Sequence, residues 1–239
     1  MANGAKCAAS LIPIHVRGRL TAVRIGVLGA TGPAGSGISA RLASAGHEVL
    51  AGSRDAAKSE TAVTELREKW GSRVDSLVPT DNAGACDAEV VVLAVHADAA
   101  IATAKEHAQA LRGRIVVSMA NNLVKNGTEF NAVLPPHGSV AAEMQALLWE
   151  SQVVTAFHLV PAAEFLELDH VMHSDVVVLG DDDTARRTLM DLVVQIPDLR
   201  AFDGGSLANA VGMETFAAIL LTINIRHKGR ASLRLTGVN

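Results

Sequence analysis

The stretch VRIGVLGATGPAGSGISARLASAGHEVLAGSR, residues 23–54, decides the fold. Its first seven residues are a short run rich in β-branched side chains that ends at Gly29, the composition of a parallel strand buried on both faces. Residues 35–46, GSGISARLASAG, carry apolar side chains at helical spacing and stop at Gly46, a helix C-terminal signal. HEVLAGS then reads as a second strand. Between the first strand and the helix lies GATGPAG, with glycines at 29, 32 and 35. This is a GxxGxxG variant of the dinucleotide-binding turn, and Thr31 stands where the second glycine of GxGxxG usually does. Gly29 permits the tight turn, Gly32 lets the backbone approach a pyrophosphate, and Gly35 lets the helix pack against the strand. The helix N-terminus at Pro33 and Ala34 then offers N–H groups and a positive dipole end to phosphates, and Thr31 can add a hydroxyl.

The end of the second strand refines the ligand. An Asp or Glu there accepts hydrogen bonds from a ribose 2′-OH and repels a 2′-phosphate. Here the position is Ser53-Arg54, with Lys58 about one helical turn further on. Arg presents a planar fork to phosphate oxygens. The expected ligand is NADP rather than NAD. The competing reading is a solvated loop in which Asp55 pairs with Arg54.

The rest of the chain continues the rhythm. A second helix is expected over 55–71, a buried strand over 87–95, a helix over 98–111, a strand over 113–120, a helix over 138–151 and a strand over 152–160. Strands alternating with helices build a parallel sheet with right-handed crossovers. After Pro161 the pattern changes to a strand at 175–183, a helix at 184–196 and one long amphipathic helix over 205–229. The expected fold is α/β: a Rossmann-type doubly wound parallel sheet with a smaller C-terminal α/β domain ending in a long helix. The expected division is a poorly ordered extension at 1–22, an NADP-binding domain at 23–155 and a C-terminal deazaflavin-binding and dimerisation domain at 156–239.

Composition narrows the function class. The formal net charge is −4, with five Phe, two Trp and no Tyr, which disfavours a nucleic-acid binder. Cys7 and Cys86 form no CxxC or disulfide framework, so a reducing, cytoplasmic setting is expected. The longest apolar run, Phe216 to Ile225, is half of the roughly twenty residues that span a bilayer, and no membrane span is expected. Asp181, Asp182 and Asp183 precede a helix and read as caps rather than metal ligands. His170 and His173 have no partner ligand nearby in sequence, so no metal site is expected. The absence of Tyr removes the Tyr–Lys mechanism of short-chain dehydrogenases.

Four segments together carry a specific resemblance: residues 24–54, AFHLVPAAEF (156–165), VVVLGDDD (176–183) and INIRHKGRASLRLTG (223–237). From Val23 to the C-terminus, in this order, the chain resembles the NADPH-dependent F420 reductases, also called F420H2:NADP oxidoreductases. The resemblance implies hydride exchange between NADP(H) and the 5-deazaflavin coenzyme F420, in a homodimer. It implies that Thr31, Gly32, Pro33, Ala34, Ser53, Arg54 and Lys58 hold NADP. It places Val95, His96 and Ala100 by the nicotinamide, in a loop reading AVHAD where the family commonly has a Pro and an aromatic. Ser118 to Leu123 would follow the next strand, and Ala162 would lie near the nicotinamide. His158 and Val160 would line the deazaflavin pocket.

Hydride passes between ring carbons, so the cofactors carry the chemistry and no nucleophile, metal or triad is required. His158 is the candidate to polarise or protonate the reduced ring, and its alternative is a hydrogen-bonded structural histidine. Arg226 and Lys228, with Ala231 beside them, would meet the anionic deazaflavin tail, unless the cations serve only the helix dipole. Two other functions fit the same dinucleotide site. One is an NADPH-dependent reductase acting on a flavin or ferric chelate, and the other is a non-catalytic NADP-sensing regulator.

Overall fold

The computed structural model describes residues 22–238, so the expectation for the N-terminal extension falls, apart from Ala22, outside the described residues. β1 (Arg24–Leu28), α1 (Pro33–Ser44), β2 (Glu48–Ser53), α2 (Ala56–Trp70) and β3 (Leu77–Asp81) form the first half of the sheet. A short α3 (Asn82–Ala85), then β4 (Val90–Leu93), α4 (Ala97–Glu106) and β5 (Ile115–Ser118) follow. A hairpin of β6 (Leu123–Asn126) and β7 (Glu129–Ala132) leads to α5 (Val140–Leu147) and β8 (Gln152–Thr155). The remainder comprises α6 (Ala162–Phe165), β9 (Ser174–Gly180), α7 (Asp183–Val193), β10 (Leu199–Asp203) and α8 (Ala210–His227).

The sheet order is β10-β9-β8-β5-β4-β1-β2-β3. From β3 to β8 all pairings are parallel. This is the doubly wound arrangement, in which ligands bind beyond the strand C-termini where the order reverses, here between β1 and β4. The strands at this point are buried on both faces: Ile25, Val27, Leu28, Val91 and Leu93 have no exposed surface. One core cluster packs α1, α2 and α7 on one face, and another packs α4 and α5 on the other.

β9 runs antiparallel to β8, and β10 runs parallel to β9, so one sheet passes across the junction expected at 155–156. Thr155, the last residue of β8, lies opposite Leu179. Residues 174–178 therefore extend beyond the end of β8 and, with β10, stand above the C-terminal edge of the parallel strands. Asp175 fixes the chain's C-terminal segment to this overhang. Its buried carboxylate accepts from Arg200 at 2.8 and 2.6 Å, from Arg234 at 3.3 Å and from the Leu235 N–H at 2.5 Å. Burial alone would raise the Asp175 carboxyl, but these hydrogen bonds and the two guanidinium charges outweigh it and hold the group below the ordinary carboxylate range.

Four strands and one helix differ from expectation. β3 contains Pro79, which an edge strand tolerates because its outer N–H groups need no ladder partner. β6 and β7 are polar and exposed, so they lack strand periodicity; their signal is the two-residue turn Gly127-Thr128, with Gly127 at φ 59°. β10 pairs with β9 at the opposite edge of the sheet, far from the dinucleotide fold. The expectation of a short apolar run is also corrected: the helical stretch Leu207–His227 is long and apolar enough to cross a membrane by length and composition. Several of its residues are core instead. Ala210, Ala217, Ala218 and Leu220 are buried, and so is Glu214, which accepts from the Val140 and Ala141 N–H groups of α5 at 2.8 and 3.1 Å. The acidic run acts as caps: Asp182 accepts from the Ala185 N–H at 2.7 Å, and Asp181 accepts from the Leu207 N–H at 3.0 Å.

Candidate functional site

The glycine turn sits at the C-terminal end of β1, where the strand order reverses. The N–H groups of Gly29 and Ala30 both donate to the Gly52 carbonyl, at 3.1 and 2.9 Å, tying the turn to β2. Gly29 has φ 85°, and a Cβ there would meet Val95 at 2.6 Å. A Cβ on Gly35 would lie 2.1 Å from the Gly29 carbonyl oxygen, so the helix reaches this strand only with glycine at that position. Gly32 differs. Its φ is −82°, and a Cβ there would find no protein atom closer than 3.5 Å. The protein's own packing does not demand glycine at 32. Gly32 is the N-cap of α1 with no side-chain cap bond, which leaves first-turn N–H groups open to a ligand.

At the end of β2, Ser53 is buried and its hydroxyl oxygen accepts from the Asp55 N–H at 3.4 Å. Asp55 is the N-cap of α2, accepting from the Ala57 N–H at 3.0 Å. The carboxylate that could have neutralised Arg54 is thus committed to the helix. Arg54 and Lys58 are exposed and make no ion pair among the described residues.

Beyond β4, Val95 forms part of the wall beside Gly29, and His96 is the exposed N-cap of α4. Ala100 has no exposed surface and packs into the core beneath α4, so it offers no face to the crevice. Ser118 is equally buried and acts through its carbonyl, which accepts the Thr155 hydroxyl at 3.0 Å.

Thr155 is the partner that sequence reasoning missed. With the Thr155 hydroxyl hydrogen assigned to the Ser118 carbonyl, its oxygen, 2.6 Å from His158 Nε2, accepts the Nε2–H. The His158 Nδ1 then carries a lone pair, buried and with no partner among the protein atoms. Burial pushes the ring's pKa down to about 4. His158 is therefore neutral near pH 7, and its one N–H proton is engaged with Thr155. As a proton donor to a ring, the role expected for it, His158 does not fit. Asn121 donates its Nδ2–H to the His158 carbonyl at 3.1 Å, and its own Oδ1 is a second buried acceptor without a partner. Phe157, just before, holds φ 65°, a conformation costly for a non-glycine residue and one that concentrates at functional sites. Val160 and Ala162 follow, half-buried, on the turn into α6.

The C-terminal residues divide. Ala231 and Leu123 pack around Leu159 with Leu220 and Leu233, next to His158. The Ala231 N–H donates to Asn224 at 2.6 Å. Arg226 instead pairs with Glu129 of the hairpin, and Lys228 closes α8 in a left-handed conformation with φ 50°. A separate cavity of about 310 Å³ lies between α5 and the start of α8. Its polar groups are spent internally: Ser139 caps α5, Asp181 caps the turn at Leu207, and Gln145 bonds Leu148, Ser151 and Val153. The crevice over β1 and β4, with open N–H groups and free cations, has the chemistry that this cavity lacks.

Residues 24–122 match the family model for NADP oxidoreductase, coenzyme F420-dependent. The F420-dependent NADP reductase of Methanocaldococcus jannaschii is 32% identical over 222 residues, 90% of this chain and 99% of that protein. The F420-dependent NADP reductase of Methanothermobacter marburgensis is also 32% identical, over 225 residues covering 90% and 99%. Among solved structures, a candidate F420-dependent NADP-reductase from Arthrobacter sp. FB24 has a TM-score of 0.75 at 24% identity. It is covered completely and covers 89% of this chain, a likeness of fold.

Proposed function

The chain belongs to the F420-dependent NADP reductase family, and from this premise we propose how its crevice serves hydride transfer between NADP(H) and coenzyme F420. The carrying observation is the polarity of the crevice. One end offers two unpaired cations at Arg54 and Lys58; towards the other, two acceptors without protein partners, Asn121 Oδ1 and His158 Nδ1, lie beneath the surface, where a ring N–H reaches them once the side chains around them part. A dinucleotide with a 2′-phosphate at one end and N–H groups on the reacting rings at the other fits that polarity. The nicotinamide carboxamide and the deazaflavin pyrimidine ring both carry such N–H groups.

The cofactors supply the reaction: a hydride passes between nicotinamide C4 and deazaflavin C5. The protein binds, orients and excludes water. The open first turn of α1, with Thr31, Gly32, Pro33 and Ala34, takes the pyrophosphate. Ser53, Arg54 and Lys58 take the 2′-phosphate. Val95 and His96 border the nicotinamide, and Val160 and Ala162 sit against the rings. His158, held neutral through Thr155, orients by accepting a hydrogen bond. Residues 23–155 form the NADP-binding part, and 156–239 form the part that binds deazaflavin and pairs with a second copy. Arg226 and Lys228 remain candidates for the anionic tail, with Arg226 first having to leave Glu129.

The outer face of α8 supports the homodimer. Phe216, Ile219 and Ile223 are exposed at helical spacing on the side of the helix away from its buried residues, and an apolar stripe of this kind favours cover. A second copy of α8 matches it in composition, which also accounts for its length without a membrane. Two soluble coenzymes as substrates support a cytoplasmic location.

The test mixes purified protein with NADPH and oxidised F420 and follows the visible deazaflavin band. Bleaching that requires NADPH is expected. Turnover with FMN or ferric citrate but not F420 would favour the broader reductase, and NADPH binding without any turnover would favour the sensor.

A further inference from the structure

α1 carries a second device besides the glycine turn at its start. Arg41 is 2% exposed, yet it lies at hydrogen-bond distance from no carboxylate. Its guanidinium donates to four backbone carbonyls: Phe165 at 3.0 Å, Glu164 at 2.9 Å, Glu167 at 2.5 Å and His170 at 3.3 Å. These carbonyls belong to the C-terminal end of α6 and the turn after it; those of Glu164 and Glu167 also accept backbone N–H bonds, and Arg41 ties all four together. A buried cation with no carboxylate in direct contact is costly: burial, with the nearby Arg73 charge, lowers the Arg41 pKa against the more distant pull of Asp198, Asp169 and Glu164. Leu or Met would fill the same volume at less cost if packing alone were the purpose.

Gly37, one turn earlier on the same face, completes the seat. A Cβ there would meet the Phe165 Cβ at 2.6 Å and the Leu166 nitrogen at 3.2 Å. Phe165 is fully buried and stacks edge-to-face on Phe157, with ring centroids 5.7 Å apart. Phe157 immediately precedes His158. One rigid path therefore runs from the glycine turn along α1, through Gly37 and Arg41 to Phe165 and Phe157, and on to the ring-facing residues. Further along the same segment, Lys69 pairs with Glu167 and Arg73 with Asp169, at 2.7 and 2.6 Å.

We propose that Arg41 and Gly37 are positioning residues for hydride transfer, locking the 157–170 segment onto the helix that begins at the glycine turn. The ring-facing end of the crevice is thereby held in fixed register with the end that grips the phosphates. This rests on the hydride-transfer reading above. It matters because a misplacement of about 1 Å between reacting groups can cost up to a hundred-fold in rate.

The test compares wild type with Arg41→Lys, which keeps the charge but loses the fork, and with Gly37→Ala, which keeps Arg41 but pushes Phe165 away. Three quantities are read: the single-turnover rate of hydride transfer at saturating NADPH and F420, the NADPH dissociation constant, and amide hydrogen exchange across 157–170. Both variants are expected to slow hydride transfer about ten-fold or more while changing NADPH affinity less than about two-fold. Exchange should quicken in 157–170 and stay unchanged in β1 and β2. An unchanged transfer rate beside quickened exchange overturns the proposal. So does a parallel fall in affinity and rate, which marks a merely structural role. If Arg41→Lys does not fold, the Gly37→Ala result decides. Failure of wild type to reduce F420 would refute the hydride-transfer reading instead, and the exchange measurement would still report whether the lock exists.

Discussion

Gly32→Ala and Gly35→Ala alter the same turn by one methyl group each and should behave in opposite ways. At Gly35 the new Cβ would stand 2.1 Å from the Gly29 oxygen and 2.7 and 2.8 Å from two further backbone atoms. Ordinary contact begins near 3.4 Å, so α1 would have to move by more than an ångström away from β1. Overpacking against backbone costs about 3 kcal/mol or more. At Gly32 the nearest protein atom would be 3.5 Å away, and φ is already −82°. Folding stability should then stay level or rise by about 0.4–1 kcal/mol, because alanine restricts the unfolded chain. The methyl group occupies the space into which the pyrophosphate must come. Loss of charge-assisted hydrogen bonds of about 1.5–3 kcal/mol raises the NADPH dissociation constant by roughly ten- to hundred-fold. Thermal melting without ligand, together with calorimetric titration of NADPH, separates the two effects. Wild-type NADPH affinity in Gly32→Ala would refute the assignment of the pyrophosphate to this turn, as would a loss of stability equal to that of Gly35→Ala.

Three further outcomes are expected. Arg54→Ala with Lys58→Ala should weaken NADPH by roughly a hundred-fold and NADH by no more than about two-fold, measured by steady-state kinetics with each donor; an unchanged preference would remove these residues from the 2′-phosphate site. His158 and Glu214 should oppose each other on acidification. Burial lowers His158 to about 4, so the stability it contributes is complete above the ordinary value of 6.5 and is lost as pH falls towards 4, about 3 kcal/mol in all. Burial, outweighing the hydrogen bonds from Val140 and Ala141, raises Glu214 to about 7, so stability returns through that group as pH falls from 7 towards 4.5, by a similar amount. His158→Asn should accordingly become more stable relative to wild type as pH falls from 7 to 5 in denaturant titrations, and Glu214→Gln less stable relative to wild type; slopes identical to wild type would contradict the burial of these groups. Finally, Ile219→Glu, at a position 55% exposed on the outer face of α8, should raise the dimer dissociation constant about a hundred-fold by sedimentation while NADPH binding holds; an unshifted sedimentation profile would move the contact elsewhere.

The dinucleotide half was legible because its determinants are local. A β-branched run, a turn that needs glycine and a helical period each lie within one element, and residues 23–54 hold all three in order. The preference for NADP was equally local, since a missing acid and two cations at the end of β2 are visible without a fold. The same holds for Asp182, which caps the helix three residues ahead. What escaped were elements defined by their neighbours. The β6–β7 hairpin is too polar to show a period, β3 survives its proline only by standing at the edge, and β10 exists because β9 overhangs β8.

The surroundings of His158 were the least legible part. His158 was found by its surroundings in the sequence, but its state was not: a hydroxyl on Thr155 and a carbonyl on Ser118, 37 residues apart, set its tautomer and deny it a spare proton. Arg41 looks like a surface cation on an amphipathic helix until carbonyls 123 to 129 residues away close around it. Asp175 reads as one more strand residue until Arg200, Arg234 and the Leu235 N–H arrive from two other segments. The sequence determined the fold of the NADP half and the class of nucleotide, because backbone propensity and turn chemistry act over a few residues. Tertiary structure alone decided the hydrogen bonding and burial of His158, Arg41 and Asp175, because hydrogen bonding and desolvation depend on which distant atoms the chain brings within hydrogen-bond reach.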